Sequence, residues 1–570
     1  MHAIVFNSHR YPASSLFIGR GLRAVLSGVV GIGLALASSF ALRGEETDPA
    51  TASSAQNVDA PKVTAKSTSP AQNPPSFLIK QYWVKGGAHL LPSVEVESAV
   101  YPYLGPYRTA ADVEQARAAL EKAYRDKGFQ TVAVEIPAQH VTGGVITLQV
   151  VPNAVGRLRV NGSRYFSIDE IKREAPSLQE GKIPNFNEVT KDLVTLNQLS
   201  DRHVSPALTA GRLPGTVEVD LNVKDSPPLH GSVELNNRYS SDTTPLRVNG
   251  SVSYDNLWQL GHSIGASFQI APENPSEVKV YSGYYLAHVP GVEGLSLMLT
   301  GTKQDSNVST LGGIGVAGRG DTVGARAIFA LPAKQDFYHS VSLGLDDKHY
   351  EQDLQTAGTT ATTPITYYPL SAAYSGTWLA KGYETDLNGA VDLHLRGMGS
   401  SEAEFDLNRH GADGSFIYFR GDLSHTRDLP EGFQIFGKLQ GQASDQPLLN
   451  SEQFSGGGLG SVRGYLESEA LGDNALLGSV ELRTPSLGNW LGKEVDDLRL
   501  YVFSDGGVLT INDPLPEQKE KYTLASVGAG TRVKLLNHLN GSLDVGVPLL
   551  LGVQTNPYDI LLTFRLWAEF

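Results

Sequence analysis

The sequence predicts an α+β region built from a module used twice, followed by an all-β 16-stranded transmembrane barrel. Three observations carry that prediction. From residue 229 onward the chain is a series of alternating segments of about ten residues, the form of a membrane β-strand. Between residues 77 and 226 a strand–helix–helix–strand–strand order occurs twice. Beyond the N-terminus no apolar run reaches the roughly 18 residues a membrane helix requires, so a membrane could be crossed only by strands.

With 570 residues the chain is too long for one ordinary soluble domain. The absence of Cys removes disulfides, thiolate nucleophiles and Cys-ligated metals from consideration. Asp and Glu (60) outnumber Lys and Arg (46). The net charge of −14 argues against nucleic acid as a partner, because phosphate binding needs a basic face. The 14 His residues show no H-E-x-x-H or similar spacing, so no metal is expected, and no cofactor either.

Residues 1–41 read as an export signal. Arg20 and Arg23 precede an apolar run over 24–37, and Ala35-Leu36-Ala37 and Ser39-Phe40-Ala41 offer small-residue cleavage sites. Residues 42–76, rich in Ala, Ser, Thr and Pro without periodicity, read as a disordered linker.

A first module is expected over 77–153 and a second over 154–226. In the first, Phe77-Leu78-Ile79 and Tyr82-Trp83-Val84 read as strand and 93–104 as a short helix. Thr109 caps a helix over 110–127 whose Val113, Ala116, Leu120 and Ala123 share one face, with Gly128 as its stop. Strands follow at 131–136 and 145–151. The second module repeats the order with strand 156–160, helices 167–175 and 185–199, and strands near 203–208 and 216–223.

Barrel strands are expected to begin near Gly231, Arg247, Gly261, Glu277, Leu295, Asp321, Tyr338, Thr366, Tyr383, Gly414, Gly432, Ala475, Asp497, Tyr522, Leu539 and Asp559. That is an even number, as an antiparallel barrel needs. Short turns at 260–261, 290–291, 332–333, 381–382, 429–431 and 537–538 fall on one side. Long loops over 306–320, 351–364, 397–412 and 446–474 fall on the other, with 485–495 a long exception on the short side. In the final strand Ile560, Leu562, Phe564, Leu566, Ala568 and Phe570 form an apolar row opposite Thr563, Arg565 and Glu569, with Trp567 breaking the pattern. The row reads as facing membrane lipid.

Val462-Arg463-Gly464-Tyr465 follows a Gly-rich stretch inside the long 446–474 loop, and Phe503-Ser504-Asp505-Gly506-Gly507 places an aspartate in an otherwise apolar strand. The two charges make sense together if the loop folds back into the barrel, because a guanidinium fork and a carboxylate join bidentately and pin a loop at one depth. A V-R-G-F/Y loop followed one strand later by F-x-D-x-G resembles the outer-membrane two-partner secretion transporters (the TpsB family, haemolysin secretion/activation type). The twice-used module resembles their POTRA domains, and the likeness covers almost the whole chain after the linker.

That resemblance implies a non-enzymatic pore that needs no nucleotide. It would move a secreted exoprotein, large and β-helical in type (a haemolysin, adhesin or toxin), from periplasm to surface. The client would add a strand to exposed POTRA sheet edges, thread the lumen unfolded and fold outside. The loop motif Val462, Arg463, Gly464 and Tyr465 would belong to the gate, with Phe503, Asp505 and Gly507 as its barrel-wall partner. Phe570 resembles the end-signal read by the barrel-assembly machinery during biogenesis, and outer-membrane lipid is the other implied partner. Other members carry an N-terminal helix that plugs the barrel, whereas residues 44–76 show no amphipathic helix.

Two rivals stand beside this reading. An assembly insertase of the same superfamily would share the loop motif but usually carries three or more POTRA units, and a plain porin would lack the periplasmic modules. Gly261-His262-Ser263-Ile264-Gly265 matches G-x-S-x-G, but that chemistry needs a strand-to-helix elbow and the residues after it continue a strand.

Overall fold

The computed structural model describes residues 75–570 except positions 88, 198, 242, 293, 310–315, 333, 335 and 357–358. The export signal expected over 1–41 lies outside the described residues, as does nearly all of the 42–76 linker. The chain divides into two compact units, one ending at Pro227 and the other running Pro228–Phe570.

In the first unit, β1 (Phe77–Ile79), β2 (Gln81–Lys85), α1 (Ser93–Val100), β3 (Gly105–Arg108), α2 (Ala110–Asp126), β4 (Val132–Glu135) and β5 (Val145–Pro152) follow in order. The strand expected across 77–84 is two strands. The Lys80 and Gln81 amides both donate to the Gly144 carbonyl (2.7 and 3.3 Å), which breaks the run between them. β1 then pairs with β3, while β2 runs parallel to β5 in a sheet ordered β2–β5–β4.

Helix α2 starts on a capping box. The Thr109 hydroxyl accepts from the Asp112 amide, and the Asp112 carboxylate accepts from the Thr109 amide at 2.8 Å. Its Ala116, Leu120 and Tyr124 are fully buried in one core with Leu148 of β5.

The second module repeats the plan with β6 (Ala154–Asn161), α3 (Ile168–Arg173), α4 (Phe186–Leu196), β7 (Arg202–Ala210) and β8 (Thr216–Asp225). β6 runs parallel to β8 and β7 antiparallel to it, and the module has a core of its own. Helix α3 is shorter than expected because Pro176 disfavours helical geometry in the residue before it. The two modules meet at a helix stop: the Phe186 amide that opens α4 donates to the Gly128 carbonyl just past α2 (2.8 Å).

The second unit is a closed antiparallel barrel. Its first strands are β9 (Leu229–Asn236), β10 (Arg247–Leu257), β11 (His262–Ile270), β12 (Val278–His288), β13 (Leu295–Ser309), β14 (Val316–Ala330), β15 (Phe337–Thr356), β16 (Thr359–Tyr367) and β17 (Leu370–Ala380). β18 (Tyr383–His394) and β19 (Phe416–Asp428) flank the short helix α5 (Glu402–Asn408), and β20 (Gln434–Ser444) follows. A two-stranded ribbon, β21 (Phe454–Gly456) with β22 (Ala470–Gly472), stands apart from the wall. The wall resumes with β23 (Asn474–Arg483) and, after α6 (Gly488–Leu491), with β24 (Val495–Thr510), β25 (Lys521–Leu535), β26 (Leu539–Pro548) and β27 (Leu561–Glu569). β16 and β17 both pair with β15, on either side of Tyr368-Pro369, so they form one stave and the barrel has 16.

In two segments expected as long loops, 306–320 and 351–364, nearly all the described residues are strand. The β13–β14 ladder continues to Ser309↔Val316, and the β15–β16 ladder continues to Thr356↔Thr359. Residues 306–309, 316–320, 351–356 and 359–364 are rich in Ser, Thr and Gly, so they carry no apolar stripe for a pattern search to find, yet the main-chain ladder extends through them. The 397–412 and 446–474 segments do leave the wall.

Outward side chains are apolar along the staves, among them Val233, Leu235, Ile264, Phe268, Leu343, Leu345, Ile417, Phe419, Leu562 and Leu566, all substantially exposed. Trp567 broke the alternation because it faces inward: it is buried, and Arg565 lies over its ring at 4.7 Å. The barrel closes where β27 meets β9 through five residue pairs, Arg565↔Asn236 to Glu569↔Ser232. Phe570 and Gly231 extend that seam by exchanging both main-chain bonds at 3.0 Å. The Asn237 side chain extends it the other way, bonding the Leu562 carbonyl and Phe564 amide at 2.7 Å each.

Candidate functional site

The 446–474 connection leaves the wall after β20 and returns at β23, and its tip is held against the inner face of the barrel. Arg463 is only 6% exposed there. Its Nε and one terminal nitrogen both donate to Asp505, at 2.7 Å each, in the bidentate geometry of a guanidinium–carboxylate pair. The Arg463 backbone amide adds a third bond to the same carboxylate at 3.0 Å.

Period-2 alternation explains why Asp505 is available. On β24, Tyr501, Phe503 and Asp505 are buried, while Val502 and Ser504 face outward. Phe503 lies beneath the guanidinium, its ring centre 3.6 Å from the Arg463 Cζ, so the cation is held over an aromatic face as well as by the carboxylate. Gly507 stands opposite Leu477 on β23.

Gly464 has φ +88, a conformation that side chains disfavour, and its backbone rests directly on β26. A Cβ built on Gly546 would fall 2.5 Å from the Gly464 nitrogen, so two glycines let loop and wall touch main chain to main chain. Val462 and Tyr465 are fully buried on either side, in a cluster with Phe454, Leu477, Leu509 and Leu524. The Tyr465 hydroxyl sits between two outer strand ends, 2.8 Å from the Leu550 carbonyl and accepting from the Ala525 amide at 3.3 Å.

Sequence reasoning missed several members of this site. Arg463 also donates to Glu481 (2.6 Å) and Ser479 (3.0 Å) on β23, and Asp544 on β26 lies 3.7 Å away. Glu481 in turn binds Arg483 (2.7 Å) and Arg532 (3.4 Å), so three cations and three carboxylates form one cluster, buried except for the Arg532 side chain, which is 44% exposed. The alternation Ser479, Glu481, Arg483 on the strand next to Asp505 was the available signal: a polar row inside an apolar strand marks the inner face.

The rest of the loop is fastened by its own acidic residues. Glu467 accepts from Arg238 at 2.6 Å. Between the loop and this part of the wall, among Arg238, Tyr465, Glu467 and Leu561, a gap of only ≈ 10 Å³ remains, no more than one water. Lys438 on β20 donates to the Gly460 carbonyl (3.1 Å), so the loop is held from both sides of the lumen. The Ser263 of the G-x-S-x-G match lies on β11, which continues as strand to Ile270.

A closed barrel with a loop clamped across its lumen, following α+β modules, defines an outer-membrane transporter of the kind that carries POTRA domains. The chain matches the family model "Haemolysin secretion/activation protein ShlB/FhaC/HecB" over residues 215–533 and "POTRA domain, ShlB-type" over residues 77–153. It belongs to that haemolysin secretion/activation family: a transporter of two-partner secretion in the bacterial outer membrane, with its N-terminal domains in the periplasm.

Among curated relatives, the outer membrane transporter CdiB of Dickeya dadantii is 23% identical over 504 residues, 82% of each chain. The heme/hemopexin transporter protein HuxB of Haemophilus influenzae is 20% identical over 387 residues, 67% of each chain. Of solved structures, CdiB from Escherichia coli matches with a TM-score of 0.62 at 21% identity, covering 89% of this chain and 93% of that one. BamA from Haemophilus ducreyi lacking POTRA domains 1–3 shares the fold with a TM-score of 0.52 at 13% identity, covering 88% of this chain and all of that one.

Proposed function

We propose that this transporter captures an unfolded exoprotein on its periplasmic modules and passes it through the lumen when the 446–474 loop leaves the wall. The observation that carries the reading is the nature of the stopper. Among the described residues the loop tip is held by side-chain bonds around Arg463 and a main-chain bond from the Glu467 amide to the Tyr239 carbonyl just past β9, and by no barrel ladder, so it can detach while the staves keep every inter-stave hydrogen bond.

Capture is supported by the module sheets, whose edge strands are β2 and β4 in one and β6 and β7 in the other. An edge offers unpaired main-chain groups to any extended segment without demanding a sequence. Trp83 on β2 is 56% exposed, with Lys85 over its ring at 4.3 Å, which gives that edge an apolar platform. Pro206 on β7 lacks an amide donor and weakens that edge as a template.

The client in this scheme is a large β-helical exoprotein of haemolysin, adhesin or toxin type. It folds outside, no step is enzymatic, and no nucleotide is used. Phe570 serves biogenesis as the end-group read by the barrel-assembly machinery.

Deleting residues 77–223 is expected to leave a barrel that inserts but secretes nothing, and a fragment spanning 77–223 is expected to bind the client's N-terminal segment in calorimetry. Secretion by the truncated barrel, together with no binding by the fragment, overturns the capture role.

A further inference from the structure

We propose that Asp473 latches a second, outer gate that is mechanically separate from the Arg463 clamp. The proposal rests on the reading of the 446–474 loop as movable. Asp473 is the last loop residue before β23 and is 0% exposed. One carboxylate oxygen accepts from the Leu448 amide (2.9 Å) and the Gln453 side chain (3.0 Å), both on the outgoing limb of the same loop. The other accepts from the Asn512 amide (2.7 Å) in the β24–β25 loop and from Arg409 (3.5 Å) in the β18–β19 loop. Arg409 also donates to the Asn512 carbonyl at 2.6 Å. A single buried carboxylate thus ties three outer loops together.

What it ties is a lid with its own apolar core. Phe405 on α5 and Ala412 pack with Leu448 and Leu449, and all are buried against the inner faces of β15, β16 and β19. Glu452, two residues before the ribbon, anchors that core to the wall by accepting from Lys348 (2.5 Å), Tyr367 (2.6 Å) and Tyr418 (2.7 Å). Glu469 collects a fourth loop, taking the Gln554 and Thr555 amides at 2.7 and 2.9 Å.

The clamp and the latch lie at different depths. Ser479 and Glu481 follow Asp473 along β23, so the clamp sits roughly 20 Å further down the stave at about 3.3 Å per residue. None of the residues bonded to Asp473 is bonded to the Arg463 side chain. A client moving outward meets the clamp first and the lid second, so releasing one leaves the other closed.

Asp473→Asn tests this with little change of size, because whichever oxygen becomes the amide nitrogen then faces two N–H donors, Leu448 and Gln453 on one side or Asn512 and Arg409 on the other. The native chain has no Cys, so single cysteines can report each gate: Leu448→Cys for the lid and Val462→Cys for the clamp, both at fully buried positions. The purified full-length barrel in detergent is treated with a water-soluble maleimide, and heat-modifiable gel mobility confirms that the barrel is folded.

Asp473→Asn is expected to speed labelling at position 448 about tenfold or more, as loss of a charge-assisted bond implies, while position 462 stays slow. Unchanged labelling at position 448 shows that Asp473 is no latch. Equal acceleration at both positions shows one gate, not two. If Asp473→Asn does not fold, Arg409→Gln is read by the same criteria. In parallel, Arg463→Ala is expected to speed position 462 alone; no effect there sinks the clamp reading and leaves the Asp473 result standing.

Discussion

Replacing Arg463 with Ala removes the two side-chain bonds to Asp505, the bonds to Glu481 and Ser479, and the cation over Phe503. These losses are unequal. Glu481 keeps Arg483 and Arg532, whereas Asp505 keeps only the backbone amide of residue 463, and its side chain is 0% exposed. The main cost is therefore one buried carboxylate without its cation, about 3–5 kcal/mol. At about 1.4 kcal/mol per decade, this shifts the loop's docked-to-released ratio by between about a hundredfold and several thousandfold.

The barrel ladder is untouched, so the variant should insert in normal amount; transport in this scheme needs the loop to redock between clients, so secretion should fall sharply or cease. Arg463→Lys should fall between, since an ammonium keeps the charge and loses the fork. Asp505→Asn should release the loop more than Glu481→Gln, because Asp505 accepts three of the bonds from residue 463 and Glu481 one. Surface-labelled barrel and secreted client are measured in the same cells. Wild-type secretion by Arg463→Ala at equal surface level refutes the clamp.

Deleting Phe570 removes two main-chain bonds of the seam, and Gly231→Leu should act on the same contact, since even a Cβ there would meet the Phe570 ring at 2.2 Å. Both changes should lower the amount of barrel in the outer membrane while leaving secretion per inserted barrel normal; normal barrel levels with lost secretion would put Phe570 in the transport path. Thr109→Ala should destabilise the first module by about 1 kcal/mol through loss of the helix cap, read as a lower unfolding midpoint of a fragment containing both modules, and an unchanged midpoint would deny the cap any role. The Asp112 carboxyl is held below its ordinary 3.8 by the Thr109 amide first and the Thr109 hydroxyl second. A group with a depressed folded pKa contributes stability above its unfolded pKa and loses it as pH falls through the folded value, so the Thr109→Ala difference should shrink below about pH 4.

Much of this was legible in the sequence because the barrel imposes period 2. The strand starts at Arg247, Leu295, Tyr383 and Leu539 could be read from alternation alone. The Arg463–Asp505 contact was legible because a charge at a glycine-rich tip and a charge in an apolar strand each need a partner. Glu481 and Asp544 were not, since inward polar residues are ordinary in a barrel and only the fold shows which lie near a loop tip. The strand extensions at 306–309, 316–320, 351–356 and 359–364 escaped for the opposite reason: a ladder is held by main-chain bonds and needs no apolar row, so residues rich in Ser, Thr and Gly look like loop.

The seam between β27 and β9 joins residues more than 300 positions apart in the chain, as the pairing of Arg565 with Asn236 shows. Such a contact has among the highest loop-closure entropies the molecule can incur, and topology of this kind folds slowly. Until β27 arrives, β9 presents a bare row of amides and carbonyls, and β26 presents another. The ring thus acts as a proofreading step on its own synthesis. A chain cut short anywhere before Leu561 keeps two sticky edges that no internal strand can cover, and only a chain that includes β27 can hide them.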